Sequence, residues 1–346
     1  IFWGGGEAPH FDLEKRNLLE KINFDPIIKK QIPMPPKKIG GTYLVSPKGT
    51  WSASLLSIFG IFYNKVALKI DKTSAPENWQ DLSNKKYYNK ITSADPRKSS
   101  SAILLCAIIL ESYEWQKAWQ LLTSLAINTY KFRNSSTDPI KSVIRGESSI
   151  APSIGYFAFA NIHSFGEKKL GFVIPPKQTV INADPISILK GAPNKKAANV
   201  FINFILSSKS QKKFLLAKGI KSGPQFSTLG RMSVNPHAYK DIDEKLLIHK
   251  INPFKLKIKP LDFDFDTLSK IQLVLADLIG IIHVDTHKEL KKSWEYIQQK
   301  KISQQDKKTL FSRISLPLVS KKELLIHAQN WHNSIYRNKQ INSWTQ

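Results

Sequence analysis

Ile91-Thr92-Ser93-Ala94-Asp95-Pro96-Arg97-Lys98-Ser99-Ser100-Ser101-Ala102-Ile103-Leu104-Leu105-Cys106 is the stretch whose reading decides the fold. Residues 91–94 alternate in the manner of a strand end. Pro96 cannot continue a strand ladder and pushes Asp95 away from helical dihedrals, so the chain must turn there. The serines then stand at the start of an apolar helix running from Ala102 to Tyr113. A serine hydroxyl in that place accepts from free first-turn amides, which serves an ordinary N-cap. The same amides, with the helix dipole, also suit an anion or a polar oxygen.

Working outward, residues 111–127 continue helically, with Trp115, Trp119 and Leu122 spaced for one buried face. Residues 138–145 predict a short helix stopped by Gly146. Residues 149–154 predict a strand with Gly155-Tyr156-Phe157 at its carboxyl end. Ligands of open α/β sheets collect beyond such ends, where the serine cluster also falls. Strands are expected at 170–174, 179–181 and 186–189, the last one after Asp184-Pro185. Helices follow at 197–205, with Ala197, Val200, Phe201, Phe204 and Ile205 apolar, and at 210–217.

Before the key stretch, Ile1-Phe2-Trp3 runs into Gly4-Gly5-Gly6, a short helix is expected over 13–22 and a proline-rich loop over 26–38. Strands are expected over 41–45 and 51–63, and a short helix begins at Pro76. After Phe226 the pattern turns helical, with a capping box at Ser320-Lys321-Lys322-Glu323. The alternation of strands and helices argues for mostly parallel sheets covered on both faces.

A chain of 346 residues with 41% hydrophobic side chains can bury more than one core. The longest uninterrupted apolar run, 102–110, is far short of a membrane span, and 273–282 is broken by Asp277, so no transmembrane helix is expected. The net charge of +25 would ordinarily suggest nucleic acid. Only seven of the 52 basic residues are arginine, however, and the lysines are scattered in short pairs such as Lys29-Lys30 and Lys195-Lys196. That is a solvated face, and base reading favours arginine. Cys106 is the single cysteine, which rules out an intrachain disulfide. The opening residues carry no initiator Met and no leader, so the chain is expected to begin inside a domain.

Motifs for chemistry are sparse. His283 and His287 have metal-compatible spacing but lack the general base of a metalloprotease helix. Residues 191–198 lack the second Gly and the Lys-Ser/Thr pair of a phosphate loop, and 146–150 lack the closing Gly of a nucleophile elbow. Nothing assembles a base, a nucleophile and an orienter, so an enzyme is not expected.

Several stretches together resemble one family. They are Ile1-Phe2-Trp3-Gly4-Gly5-Gly6 with Leu18-Leu19-Glu20, Ser57-Ile58-Phe59-Gly60-Ile61-Phe62-Tyr63-Asn64, Pro76-Glu77-Asn78-Trp79-Gln80-Asp81-Leu82, and residues 91–101. The series ends with Ile186-Ser187-Ile188-Leu189-Lys190-Gly191-Ala192-Pro193-Asn194 leading into 201–207. In order and spacing the chain resembles the extracellular solute-binding proteins of bacterial ABC importers, in the branch that contains the ferric-iron-binding proteins. The likeness covers residues 1 to about 220.

The resemblance implies an α/β, two-lobed periplasmic-binding-protein fold of type II, each lobe a mostly parallel sheet flanked by helices. It implies lobe one at 1–62 and 186–260, lobe two at 63–185, and a helical region over 261–346 packing on the lobes and hinge. The chain would cross between lobes at 60–64 and near 184–187. The family's first strand-helix-strand-helix run has no counterpart here, which implies an N-terminally truncated lobe one. Carried over by position, the ligand would meet Gly4, Gly5, Gly6, Glu7, Trp51 and Ser57 from lobe one, Ser99, Ser100, Ser101 and Tyr156 from lobe two, and Asp184 at the hinge. Iron-binding members use an adjacent tyrosine pair, whereas Gly155-Tyr156-Phe157-Ala158 supplies one phenol. Tyr156 with Glu7 and Asp184 would then be the metal ligands if ferric iron were the cargo, alongside an external anion. An organic or phosphorylated solute is the other reading of the same cleft. The implied function is that of a monomeric, non-enzymatic periplasmic protein that holds no cofactor. It captures a small polar or anionic solute and delivers it to an inner-membrane permease. The alternative is a basic nucleic-acid-binding or surface-interaction protein.

Overall fold

The strand Trp51–Asn64 is buried from Trp51 through Phe62, on both of its alternating faces. A strand of that kind must be covered on both sides, which fixes the layering around it. The computed structural model describes residues 1–240 and 242–345. Contacts divide the chain into two compact units. Unit 1 comprises Ile1–Gly60, Ile154–Glu167 and Thr179–Ser269; unit 2 comprises Ile61–Ser153, Lys168–Gln178 and the chain from Lys270 onward.

In unit 1 the first part of Trp51–Asn64 pairs antiparallel with Ile181–Leu189, from Ile58 opposite Ile181 to Trp51 opposite Ser187. Ile181–Leu189 also carries Phe2–Trp3 and Leu19–Glu20, both antiparallel. Helices Glu7–Lys15, Gly155–Phe165, Lys195–Leu206 and Ser208–Leu215 belong to this unit. Ala198, Ile202, Ile205 and Leu206 form the buried face of Lys195–Leu206, at the three-to-four residue spacing of a helix that lies on a core.

In unit 2, Ile91–Ala94 pairs parallel with Thr129–Arg133 and with Ile150–Ile154. The end of the long strand, Ile61 to Asn64, pairs antiparallel with Leu170–Val173. Helices Ser100–Ser112 and Trp115–Asn128 connect the first two parallel strands, as a crossover requires. From Lys270 the helix Phe265–Ile279 lies in unit 2 and passes into a π-helix, Gly280–Asp285. Residues 265–285 are long and apolar enough to cross a membrane, with mean hydropathy 1.5. Asp277 within them accepts from Trp331 Nε1 and from Arg337 Nε, both at 2.9 Å, and Val274, Leu275 and Leu278 are buried, so the helix is used as a core helix.

Several expectations change. Residues 13–22 are not one helix: the helix is Glu7–Lys15, and Leu19–Glu20 is a strand edge. Residues 26–31 are helical because Pro26 sits at the first helical position, where its missing amide hydrogen costs nothing. The expected strands at 179–181 and 186–189 are one strand, with Pro185 tolerated at a register shift. The described pairings of unit 1 are antiparallel, not parallel, because the chain leaves along Trp51–Asn64 and comes back along its neighbour. Tyr156 lies in unit 1, not with the serine cluster. The chain changes unit at 60/61, 153/154, 167/168, 178/179 and 269/270, so residues 184–187 lie within unit 1, and residues from Lys270 onward belong to unit 2.

Candidate functional site

Met232 and Leu56 exchange two backbone hydrogen bonds, of 3.0 and 2.9 Å, which places Arg231 beside Ser57. Gly230 precedes it at φ +61, and a Cβ there would lie 3.0 Å from the Tyr156 carbonyl oxygen, so only glycine lets this segment approach the helix Gly155–Phe165. Arg231 then converges on three groups. Its Nη1 donates to Asp184 Oδ2 at 2.7 Å and to Ser57 Oγ at 3.2 Å. Its guanidinium carbon lies 3.4 Å from the centre of the Tyr156 ring, a cation resting on an aromatic face. Burial pushes the Tyr156 phenol up, with Asp184 adding and Arg231 opposing, so it stays protonated at neutral pH.

Asp184 owes its place to a register shift. Asp184 pairs with Leu55 and Pro185 with Ala53, leaving Ser54 as the extra residue on the facing strand. The Ser54 hydroxyl donates to the Asp184 carbonyl and accepts from Trp3 Nε1, both at 2.7 Å, and Gln211 Nε2 donates to the Ser54 carbonyl at 2.8 Å. Gly4, Gly5 and Gly6 all have φ between +76 and +85. In that conformation Gly4 N donates to the Pro185 carbonyl at 2.9 Å.

Of the residues expected to meet a ligand, Ser57, Tyr156 and Asp184 are brought together around Arg231, with Gly4 beside Asp184. Glu7 is not a surface carboxylate. It is 4% exposed, its Oε1 accepts from Ala183 N at 2.7 Å, and burial pushes its carboxyl up to about 8. Trp51 is a core side chain, 1% exposed, with its ring edge-on to Phe11 at 5.5 Å, so it is no flat wall for a ligand. Trp3, 44% exposed, is the open indole of this unit's site region. In unit 2, Ser99 is the N-cap of Ser100–Ser112: its Oγ accepts from Ala102 N at 3.2 Å and lies 2.9 Å from Ser136 Oγ. Ser100 is exposed and Ser101 half-buried. The turn before them is braced by Arg97, which binds Asp95 and Asp285 with two nitrogens each.

The set Tyr156, Glu7 and Asp184 is not assembled as a metal centre. Glu7 is spent on a backbone amide, and the Arg231 cation occupies the face of Tyr156 and one oxygen of Asp184. Among the described residues no group of three or more His, Cys, Asp or Glu could hold a metal ion, which covers His283 and His287. His283 is buried against Thr123 Oγ1 at 3.0 Å, and His287 Nε2 lies 3.0 Å from the Ala126 carbonyl. The residue that sequence reasoning missed is Arg231. The available signal was an arginine directly after a glycine in a chain where only seven of the 52 basic residues are arginine.

A family model described as bacterial extracellular solute-binding protein matches residues 10–243, and the chain belongs to that family. An uncharacterized protein of Haemophilus influenzae is 25% identical over 215 residues, 61% of this chain and 59% of its own length. The phosphoglycerate transport regulatory protein PgtC of Salmonella typhimurium is 23% identical over 167 residues, 48% of this chain and 41% of its own length. The chain thus spans about half the length of the curated relatives it matches. Among solved structures, the periplasmic binding protein AfuA of Actinobacillus pleuropneumoniae, with exogenous fructose-6-phosphate bound, shares the fold at a TM-score of 0.58 and 24% identity, over 87% of this chain and 82% of that one. Iron-bound HitA of Pseudomonas aeruginosa does so at 0.59 and 18%, over 80% and 81%.

Proposed function

We propose that this chain is the solute-binding component of an ABC importer, working in the periplasm as a monomer without catalysis and handing a small anionic solute to an inner-membrane permease. Arg231 carries the reading. A guanidinium held over the Tyr156 ring, with its other contacts to Ser57 and Asp184, is a preorganised fork for a phosphate or carboxylate. Asp184 beside it, part-exposed, suits a hydroxyl group on the same solute, while Ser57, 3% exposed, holds the guanidinium in place from behind. The exposed Ser100 and half-buried Ser101 of unit 2, at a helix N-terminus, are further oxygen-binding groups by the same chemistry. The bound sugar phosphate of AfuA and the phosphoglycerate in the name of PgtC support a phosphorylated solute. A ferric ion on Tyr156 would require Arg231 to leave, so iron belongs in the test as a competing cargo. The nucleic-acid alternative gains nothing from a single sequestered arginine.

The test is a thermal melt against fructose 6-phosphate, 3-phosphoglycerate, inorganic phosphate and ferric citrate. A ligand at a hundred times its Kd adds about 2.7 kcal/mol. A shift with a phosphorylated solute that Arg231→Ala abolishes supports the reading. A shift with ferric citrate alone, or one that survives Arg231→Ala, overturns it.

A further inference from the structure

We propose that Glu7 is a positioning residue for the Arg231 anion site, setting the place of Asp184 through the Ala183 amide without itself touching the solute. The inference rests on the anion-site reading and adds a residue to it.

The segment Gly4 to Glu7 grips the register shift on both sides of Asp184. On one side Glu7 Oε1 accepts from Ala183 N at 2.7 Å. On the other, Gly4 N donates to the Pro185 carbonyl at 2.9 Å. Between them the Asp184 carbonyl accepts from Ser54 Oγ at 2.7 Å, so three consecutive residues of this strand are each held by a named group. Proline at 185 has no amide to offer the ladder, so the geometry at the shift depends on such outside partners. The result is that Asp184 turns its carboxylate onto Arg231, and Arg231 is fixed on Tyr156.

Glu7 is suited to this task and to no contact with solvent. It opens the helix Glu7–Lys15 and is 4% exposed, near Thr42, whose hydroxyl donates to the Ile181 carbonyl. His10, one turn on and fully buried, has Nε2 3.1 Å from the Gly4 carbonyl, so the same helix holds both ends of the glycine loop. A carboxyl buried at that depth costs stability unless its bond repays it, and an apolar residue would fill the space more cheaply. The bond to Ala183 is what glutamate provides and leucine does not.

The experiment compares Glu7→Gln, which keeps an acceptor, with Glu7→Leu, which fills the core without one. The readout is the Arg231 Nε–H NMR signal of the whole chain, assigned with Arg231→Lys and shifted by the Tyr156 ring. Glu7→Leu is expected to move this signal to the position of a solvated arginine, and Glu7→Gln to leave it within a linewidth of the parent. Affinity for fructose 6-phosphate, where that solute binds the parent, should fall at least tenfold in Glu7→Leu and stay within twofold in Glu7→Gln. Should Glu7→Leu not fold, Glu7→Ala, which also removes the acceptor of the Ala183 amide, is expected to shift the same signal. An unmoved Arg231 signal in folded Glu7→Leu or Glu7→Ala overturns the inference. Failure of the anion-site reading is seen separately, as binding that survives Arg231→Ala.

Discussion

The guanidinium of Arg231 lies 3.4 Å from the centre of the Tyr156 ring, and its Nη1 is 2.7 Å from Asp184 Oδ2. The ring face, not the phenol oxygen, is therefore what Tyr156 contributes. Tyr156→Phe should bind a phosphorylated solute within threefold of the parent, because the face is retained. Tyr156→Ala should lose about tenfold, in line with a cation–π contact of 1–2 kcal/mol. Arg231→Lys should lose at least as much, since an ammonium cannot present a fork. Isothermal titration of the three variants checks the series, and a larger loss in Tyr156→Phe than in Tyr156→Ala would sink it.

Ferric citrate should leave the melt unchanged and should give no visible phenolate-to-iron absorption band in the parent. Burial keeps the Tyr156 phenol protonated and Arg231 repels a second cation. If Arg231→Ala then acquires the band, the arginine is the element that sets the cargo's sign.

Glu7 makes the folded state sensitive to alkali. Its carboxyl is raised by burial from 4.5 to about 8, so as pH rises between those values the unfolded chain releases a proton that the folded one keeps. Stability should fall through that window and level off above pH 8, by a total on the order of 5 kcal/mol. Glu7→Gln, which has no proton to lose, should melt at a higher temperature than the parent at pH 8 and close to it at pH 4.5. Calorimetry at the two pH values decides the matter.

His283 has the opposite sign. Burial lowers its imidazole from 6.5 to about 3, with His287 contributing, so the folded state holds it neutral while the unfolded state takes up a proton. Stability of unit 2 should drop as pH falls from 6.5 toward 3. His283→Gln, still able to meet Thr123 Oγ1, should flatten the acid limb of the melting curve. An unchanged acid limb would count against the assignment.

Gly280 carries the Arg97 brace. A Cβ at this position would stand 2.4 Å from Arg97 Nε, and Arg97 cannot swing away without breaking its pairs with Asp95 and Asp285. Gly280→Ala should cost about 2 kcal/mol, at the upper end of ordinary substitutions. A melting temperature within one degree of the parent would show that the brace is slack.

By itself the sequence determined local elements, those after the Asp95-Pro96 turn and one near the C-terminal end. Ser99 capping an apolar helix, Trp115–Asn128 with its buried face, and the Ser320–Glu323 capping box all depend on residues a few positions apart. The family likeness was legible for the same reason, because it lay in short stretches read in order. Only the tertiary structure decided the site. Arg231 meets Ser57, Tyr156 and Asp184, which are 174, 75 and 47 positions away in the chain, through a two-bond pairing of Met232 with Leu56 that no local pattern announces. It also decided that Trp51 and Glu7 face inward. Carried over from the family likeness, both read as ligand contacts until the tertiary pairing shows Trp51 on a strand covered on both faces and Glu7 turned onto the Ala183 amide, and such pairing is a property of the partner strand.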